Sequence, residues 1–111
     1  MHLSSLATLP PEPVSHNPAI EKRVLLRPGV LPPVLQVAEA RFAPGQVAPA
    51  HAHADMAEVF LVTSGAGTIT IDGRAYSLPT GSCVAVEPGE VHELANTGEG
   101  PMVLLYFGVR T

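Results

Sequence analysis

Apolar and polar positions alternate in short runs separated by turn residues, and this pattern predicts a protein built of β-strands. Residues Thr68 to Ile71 alternate strictly and meet Asp72-Gly73, a dipeptide typical of tight hairpin turns. From residue 22 onward, turn signals recur about every 8–12 residues, which is the spacing of an all-β sandwich or barrel. No stretch shows the 3.6-residue period of an amphipathic helix, so we expect almost no helix.

The first 21 residues differ from the rest of the chain. Four of them are prolines and they show little periodic apolar pattern, which favours an extended arm that is ordered only where it docks. Because 111 residues is the length of one domain, we predict an N-terminal arm over residues 1–21 and one β-barrel domain over residues 22–111. The predicted strands are 24–26, 34–42, 47–53, 58–63, 68–71, 74–78, 83–86, 91–95 and 102–109.

Two of the predicted strands, around residues 59–62 and 102–107, are apolar on both faces. A barrel strand with one face in water should alternate instead. A chain this small cannot cover both faces of a sheet, so we expect the outer face to meet a second copy in a two-fold homodimer. The alternative is that the arm, residues 1–21, covers this face within one chain.

Composition and charge exclude several classes of protein. With 46% hydrophobic and 14% charged residues, the chain is too apolar and too weakly charged to be disordered. The formal net charge is −4 and Lys22 is the only lysine. No basic patch is available for a phosphate backbone or an anionic bilayer, so we expect no nucleic acid and no membrane as partner.

The cysteine content and the N-terminal residues bear on location. Cys83 is the only cysteine, which rules out an intramolecular disulfide. The N-terminus lacks a basic segment followed by a long apolar core, so we expect no signal peptide. No apolar run approaches the ~20 residues that span a bilayer. These features predict a cytoplasmic location.

Three histidines and one glutamate are the candidate metal ligands. His51 and His53 are two apart and so share one face of a strand, while Glu58 follows after a short turn and His92 comes from a distant strand. A lone strand histidine is more often a hydrogen-bonded or surface residue. However, Glu58 heads an apolar run, and burying an isolated carboxylate costs several kcal/mol. Three imidazoles and a carboxylate suit the divalent ions of Fe, Mn, Co, Ni, Cu or Zn.

At these residues the sequence resembles the cupins, in particular the small single-domain members. Their first motif is Gly, five residues, His-x-His, three or four residues, Glu, six residues, Gly. Every spacing is met here, by Gly45, His51-Ala52-His53, Glu58 and Gly65.

The second cupin motif is matched with one departure. It runs Gly, five residues, Pro-x-Gly, two residues, His, three residues, Asn, and is met by Gly81, Gly89, His92 and Asn96. Glu87 stands where the motif has proline, and the proline is displaced to Pro88. This departure alters the local turn and could aim Glu87 toward the mouth of the barrel.

The resemblance implies a double-stranded β-helix, the jelly-roll barrel of the cupins. It also implies a divalent metal ion held by His51, His53, Glu58 and His92. Four protein ligands leave about two positions of an octahedral ion open for water, substrate or dioxygen. Proton transfer would then fall to Glu58, to Glu87 or to bound water.

Cupins perform many functions, so the resemblance leaves the activity open. The first hypothesis is a metal-dependent enzyme of dioxygenase, isomerase or decarboxylase type, acting on a small oxygen-containing metabolite. The second is a non-catalytic module that binds or senses a small molecule. A storage or scaffold role is weaker, because it does not need an intact ligand set.

Counting by twos along the strands predicts the rest of the cavity lining. It places Phe60, Val62, Leu94 and Asn96 inward, together with Val47 and Pro49. We expect Asn96 to bond a turn. Lys22 lies too near the arm to be given a role. The polar residues that could reach a substrate are Gln36, Arg41, Gln46, Glu87 and Tyr106.

Overall fold

The structure, a computed structural model that describes residues 1–111, contains ten β-strands and no helix. Every strand pairing is antiparallel. With no helix present, there is none long and apolar enough to cross a membrane. The strands are β1 (Glu12–Val14), β2 (Asn17–Leu26), β3 (Val34–Phe42), β4 (Val47–His51), β5 (Met56–Ser64), β6 (Gly67–Ile71), β7 (Arg74–Leu78), β8 (Cys83–Val86), β9 (His92–Ala95) and β10 (Met102–Arg110).

Two sheets face each other and form the barrel. The larger has the order β1-β2-β3-β10-β5-β8 and the smaller has the order β4-β9-β6-β7. This is the double-sheet, jelly-roll arrangement that the sequence predicts, so the predicted all-β barrel is confirmed. The hairpin predicted at Asp72-Gly73 joins β6 to β7, and both residues adopt positive φ as such turns require.

The core fills the space between the two sheets. Strand β10 lies at the centre of the larger sheet, where Met102 and Leu104 are almost fully buried. Across the sheet, Leu104 pairs with Ala40 on one side and Val62 on the other, and Ile69 of the smaller sheet is equally buried. These residues alternate with partly exposed ones, as expected of strands with one face on the core.

The larger sheet begins earlier than the sequence pattern indicates. Residues 12–14 and 17–21, which fall in the predicted arm, form β1 and the first half of β2. Strand β1 is the outermost strand of the sheet, where a proline leaves no ladder hydrogen bond unmade. The prolines that suggest an arm are therefore compatible with a strand. The division into residues 1–21 and 22–111 as separate units stays a prediction.

Residues before β1 lie beside β2. The side chains of His2 and Ser4 both hydrogen-bond the carbonyl oxygen of Leu25, at 3.1 and 2.7 Å. Further along, Arg23 Nε donates to the carbonyl oxygen of Leu9 at 3.2 Å. These contacts hold the N-terminal segment against one strand near the edge of the sheet.

The glycine of the β5–β6 turn carries two constraints at once. Gly65 has a φ of +74°, and a Cβ there would overlap the carbonyl oxygen of Pro101. Gly81 has a φ of +90° but nothing within 4 Å of the Cβ position. We expect Gly81→Ala to lower the free energy of unfolding by about 1–2 kcal/mol, the cost of the left-handed conformation alone.

We expect Gly65→Ala to lower the free energy of unfolding by about 1–3 kcal/mol more than Gly81→Ala does, because the backbone around Pro101 must also move. Urea unfolding followed by far-UV circular dichroism measures both variants. Equal losses in the two variants would contradict the close packing of Gly65 against Pro101.

Candidate metal centre

The candidate ligands meet between the two sheets at one end of the barrel. His51 ends β4 and pairs in register with His92, the first residue of β9, so both belong to the smaller sheet. Glu58 lies on β5 of the larger sheet and points across the interior. His53 lies on the turn that carries the chain from one sheet to the other.

The direction of His51 depends on an irregularity in β4. Strict alternation predicts Val47 and Pro49 on the inner side together with His51. The structure instead buries Ala48 in the cavity wall and leaves Pro49 exposed, so this part of the prediction is wrong. The register against β9 shifts between Ala48 and His51, which moves the alternation by one residue.

The four ligand atoms lie close enough together to hold one ion. One atom from each of His51, His53, Glu58 and His92 lies within 4.8 Å of the others. Glu58 Oε1 is 3.1 Å from Nε2 of both His53 and His92. Adjacent ligands at about 2.1 Å from an octahedral ion stand about 3.0 Å apart, and opposed ligands about 4.2 Å apart. The two separations of 3.1 Å match the spacing of adjacent ligands.

Backbone carbonyl groups orient two of the imidazole rings. His51 Nδ1 is 2.8 Å from the carbonyl oxygen of Pro49, and His92 Nδ1 is 3.0 Å from that of Glu90. A carbonyl oxygen only accepts hydrogen bonds, so both Nδ1 atoms donate. Each ring therefore presents its Nε2 atom for coordination. Outer hydrogen bonds of this kind fix ring orientation and tautomer in metal sites.

The environment shifts the pKa values of the two rings in opposite directions. Burial lowers the pKa of His51, and the neighbouring histidines lower it further, against the effect of the hydrogen bond to Pro49. Burial also opposes protonation of His92, but hydrogen bonds to Glu58 and to the Glu90 carbonyl outweigh it and raise the pKa of His92. In the metal-free protein both nitrogens of His92 face acceptors, which is the bonding pattern of an imidazolium.

A fourth histidine lies at the mouth of the site. The ring of His16 stacks on that of His51, with centroids 3.7 Å apart and an angle of 20° between the planes. Burial lowers the pKa of His16. Sequence reasoning missed this residue because it lies among the N-terminal prolines. Only the β1–β2 turn brings it to the cluster, and no local pattern signals that contact.

The cavity beside the cluster is small and mostly apolar. Its volume is about 220 Å³, below the ~300–1,000 Å³ of pockets for drug-sized ligands. The predicted inward residues Phe60 and Leu94 contribute to its wall, and Tyr106 stacks on Phe60 with centroids 5.7 Å apart. The apolar wall residues include Leu35, Ala40, Phe42, Ala48, Met56, Phe60, Leu94 and Leu104.

Among the polar candidates, the structure brings Gln36 and Tyr106 to the cavity and leaves the other three outside it. Arg41 is exposed on β3. Gln46 accepts a hydrogen bond from the Ala43 amide and donates to the Ala19 carbonyl, so it holds loops together.

The structure does not bring Glu87 to the cluster. Glu87 is exposed on the turn between β8 and β9 and borders a shallow depression on the outside of the barrel. The Glu90 carboxylate accepts a hydrogen bond from the Glu87 amide at 2.7 Å, which closes this turn on itself.

The second motif's Asn96 has the turn-bonding role that the sequence predicts. It is 2% exposed and donates to the carbonyl oxygens of Phe42 and Gly100. Its own carbonyl oxygen accepts from the Gly98 amide. Asn96 therefore joins the end of β9 to the end of β3.

Comparison with known proteins places these residues in a family. A family model described as "Cupin domain" matches residues 38–108. Gentisate 1,2 dioxygenase 1 of Aquipseudomonas alcaligenes is 33% identical over 60 residues, which cover 54% of this chain and 17% of that protein. An uncharacterised protein of Methanocaldococcus jannaschii is 29% identical over 84 residues, which cover 75% of this chain and 67% of that protein. The chain thus matches about a sixth of the dioxygenase.

Solved structures show the same fold. A predicted oxalate decarboxylase of Thermotoga maritima superposes with a TM-score of 0.90 at 22% identity, with both chains fully covered. A sugar phosphate isomerase of the cupin superfamily from Silicibacter pomeroyi gives a TM-score of 0.81 at 23% identity, covering 96% of this chain and 74% of that chain. At these identities the likeness establishes the fold alone.

Metal binding should release a proton from His92. Coordination through Nε2 must displace the proton that this atom donates to Glu58 in the metal-free protein. Below the raised pKa of His92, we expect the affinity for Zn²⁺ or Ni²⁺ to fall about tenfold for each unit decrease in pH. Calorimetric titration over a series of pH values measures this slope.

The variant His2→Ala, which removes an exposed histidine far along the chain from the cluster, should show the same slope. An affinity that does not change with pH in this range would contradict the protonated state inferred for His92.

Proposed function

The chain belongs to the cupin family, and we propose that it is a metal-dependent enzyme that acts on a small oxygen-containing metabolite. The observation that carries the proposal is the convergence of three imidazoles and one carboxylate on one point in the cavity wall. This donor set suits divalent Fe, Mn, Co, Ni, Cu or Zn. The proposed ligands are His51, His53, Glu58 and His92.

The residues of the cavity suit such chemistry. When bound, a divalent ion supplies a Lewis acid that polarises a substrate oxygen atom. Phe60 and Leu104 exclude water from the inner wall. Burial raises the pKa of Tyr106 to about 12, so its hydroxyl stays protonated and can donate a hydrogen bond to a substrate. Glu58 is held between two imidazoles, which keeps its carboxylate on the ligand side of the cavity.

The proposed reaction is of dioxygenase, isomerase or decarboxylase type. The names of similar proteins cover these three types: a gentisate dioxygenase, a sugar phosphate isomerase and a predicted oxalate decarboxylase. Their reactions share substrates rich in oxygen, which is the class of ligand that a polarising ion requires.

One observation favours a second candidate, a non-catalytic module that binds a small molecule. Glu58 is the only carboxylate that lines the cavity, and it already bonds two histidines. Glu87 lies outside, so no free carboxylate is left to move protons. Tight binding without turnover over a panel of small oxygen-rich acids, with and without dioxygen, would favour this candidate over the enzyme.

We also propose that two copies associate through the outer face of the larger sheet. The side of strands β5 and β10 opposite the core carries Val59, Leu105 and Phe107, which are partly buried, and Leu61, which is exposed. An apolar face on the two central strands favours a second copy as partner. We propose a cytoplasmic location, since the single cysteine, Cys83, is a free and exposed thiol.

Removal of one ligand tests the metal site. We expect His51→Ala to weaken metal binding by at least about 100-fold and to abolish turnover, because the ion loses an oriented imidazole. Metal content per chain, measured on untagged protein purified without oxygen or added metal, reports the effect.

The matched control is His16→Ala. It removes a ring that stacks on His51 but contributes no ligand atom to the cluster, so metal content should remain near one ion per chain. Loss of metal with activity retained in His51→Ala would overturn the proposed enzyme.

The dimer is tested by charge substitution on the outer face. We expect the protein to sediment as a dimer at micromolar concentration and Leu61→Arg to sediment as a monomer, because a charge in an apolar interface is costly to desolvate. Leu61 is 36% exposed, and Tyr76 on the smaller sheet is 44% exposed. Because Tyr76 is on the smaller sheet and so lies outside the proposed interface, Tyr76→Arg should leave the dimer intact. A monomeric wild-type protein would contradict the proposed dimer.

A further inference from the structure

The only lysine of the chain lies in the wall of the cavity. Lys22 is on β2 between Ile20 and Val24, which are both buried, and it pairs in register with the buried Ala40. Its side chain therefore points to the inner side of the sheet, and it lines the same cavity as His51, His53 and Glu58. Sequence reasoning gives Lys22 no role, because it lies directly after the predicted arm, residues 1–21.

A second polar group is coupled to this lysine. Lys22 Nζ lies 3.5 Å from Gln36 Oε1, and Gln36 Nε2 donates to the hydroxyl oxygen of Tyr106 at 3.2 Å. Since that oxygen accepts from Gln36, the hydroxyl hydrogen of Tyr106 remains free to donate elsewhere. Gln36 thus orients two donors, an ammonium and a phenol, along one wall of the cavity.

One cavity connects these donors with the metal cluster, since residues of both groups line it. Gln36 and Glu58 both pair with Gly108 of β10, one on each side of it. Gly108 lines the cavity, and the side chains of Leu35 and Met56 flank the position that a Cβ of Gly108 would take. The cavity therefore passes Leu35 and Met56 between the Lys22 side and the ligand side of the sheet.

No carboxylate lies within ion-pair distance of the Lys22 ammonium, because its cross-strand neighbour Glu12 pairs with Arg27 instead. The ion pairs of the structure join Glu12 to Arg27 and Glu58 to His53 and His92, and none includes Lys22. Glu58 is the only carboxylate lining the cavity, and its bonds to the histidines occupy it. An ammonium that lines a mostly apolar cavity and contacts no carboxylate is suited to bind an anionic ligand there.

We propose that Lys22 and the Tyr106 hydroxyl, oriented by Gln36, form an anion-binding end of the cavity that selects a small carboxylic acid. The carboxylate accepts from both donors, and the rest of the ligand extends over Gly108 toward the cluster. This inference rests on the proposed function and deepens it, since the opposite end of the same ligand would contact the ion at the metal cluster.

A carboxylate fits this wall better than a phosphate. Two donors match the two oxygen atoms of a carboxylate. Phosphate sites are usually built from helix N-termini or several arginine side chains. This chain has no helix, and no arginine lines the cavity. The cavity volume of about 220 Å³ restricts the acid to a small one.

Calorimetric titration with malonate, malonamide and inorganic phosphate tests the proposal. Malonamide is the uncharged counterpart of malonate, and phosphate is the competing anion. Each probe is titrated into metal-free protein and into Co²⁺-loaded protein, where the visible spectrum of the ion also reports ligands that reach it.

The decisive variant is Lys22→Met, which keeps the length of the side chain and removes its charge. We expect it to weaken malonate binding about 10- to 100-fold, the range of a hydrogen bond to a charged group, and to leave malonamide binding unchanged. Lys22→Arg should retain most of the affinity. Arg41→Met removes the same charge from the exposed outer side and should bind malonate like the wild type.

Far-UV circular dichroism and Co²⁺ stoichiometry confirm that each variant is folded. Equal malonate affinity in Lys22→Met and wild type, or tighter binding of phosphate than of malonate, would overturn the proposal. Failure of the metal site is distinguishable. A wild-type protein that binds no Co²⁺ but loses malonate affinity on Lys22→Met counts against the proposed enzyme and supports the anion-binding end.

Discussion

The burial of one carboxylate is the constraint on which the rest of the structure depends. Glu58 is 8% exposed, and it belongs to the larger sheet. A buried carboxylate must be paired, and its partners His53 and His92 come from the turn after β4 and from the smaller sheet. The ion pairs therefore link the two sheets at one end of the barrel, and one apolar core cluster that includes Leu104 and Ile69 joins them elsewhere.

The spacing of the two motifs predicts this polar end of the barrel correctly, because the motifs combine strand geometry with short turns. The separation of His51 and Glu58 along the chain is only seven residues, so a single turn determines their meeting. Local patterns fail where a register changes or where distant segments meet. Alternation alone cannot reveal the shift between Ala48 and His51; the signal for it is Pro49, since proline within a strand is typical of bulges. Nor can it place Lys22, whose surroundings are supplied by β3 and β10.

The displaced proline shows how the same motif can close its turn differently. With Glu87 in the place of proline, an amide hydrogen is present at that position, and the Glu90 side chain accepts it. The Gly89 amide then donates to the carbonyl oxygen of His53 at 2.7 Å. The turn is thus tied to the segment that carries the first two histidines. Glu87 helps to shape the rim through its backbone, whereas its side chain points away from the cavity.

The β1–β2 hairpin has a consequence for how such barrels diversify. It forms the edge of the larger sheet, and it supplies both His16 at the mouth and Lys22 in the wall. The four candidate ligands all come from other parts of the chain. Edge residues can therefore be exchanged during evolution while the cluster is preserved. One scaffold can retain its reactive centre and acquire a new ligand preference through substitutions in a single peripheral hairpin.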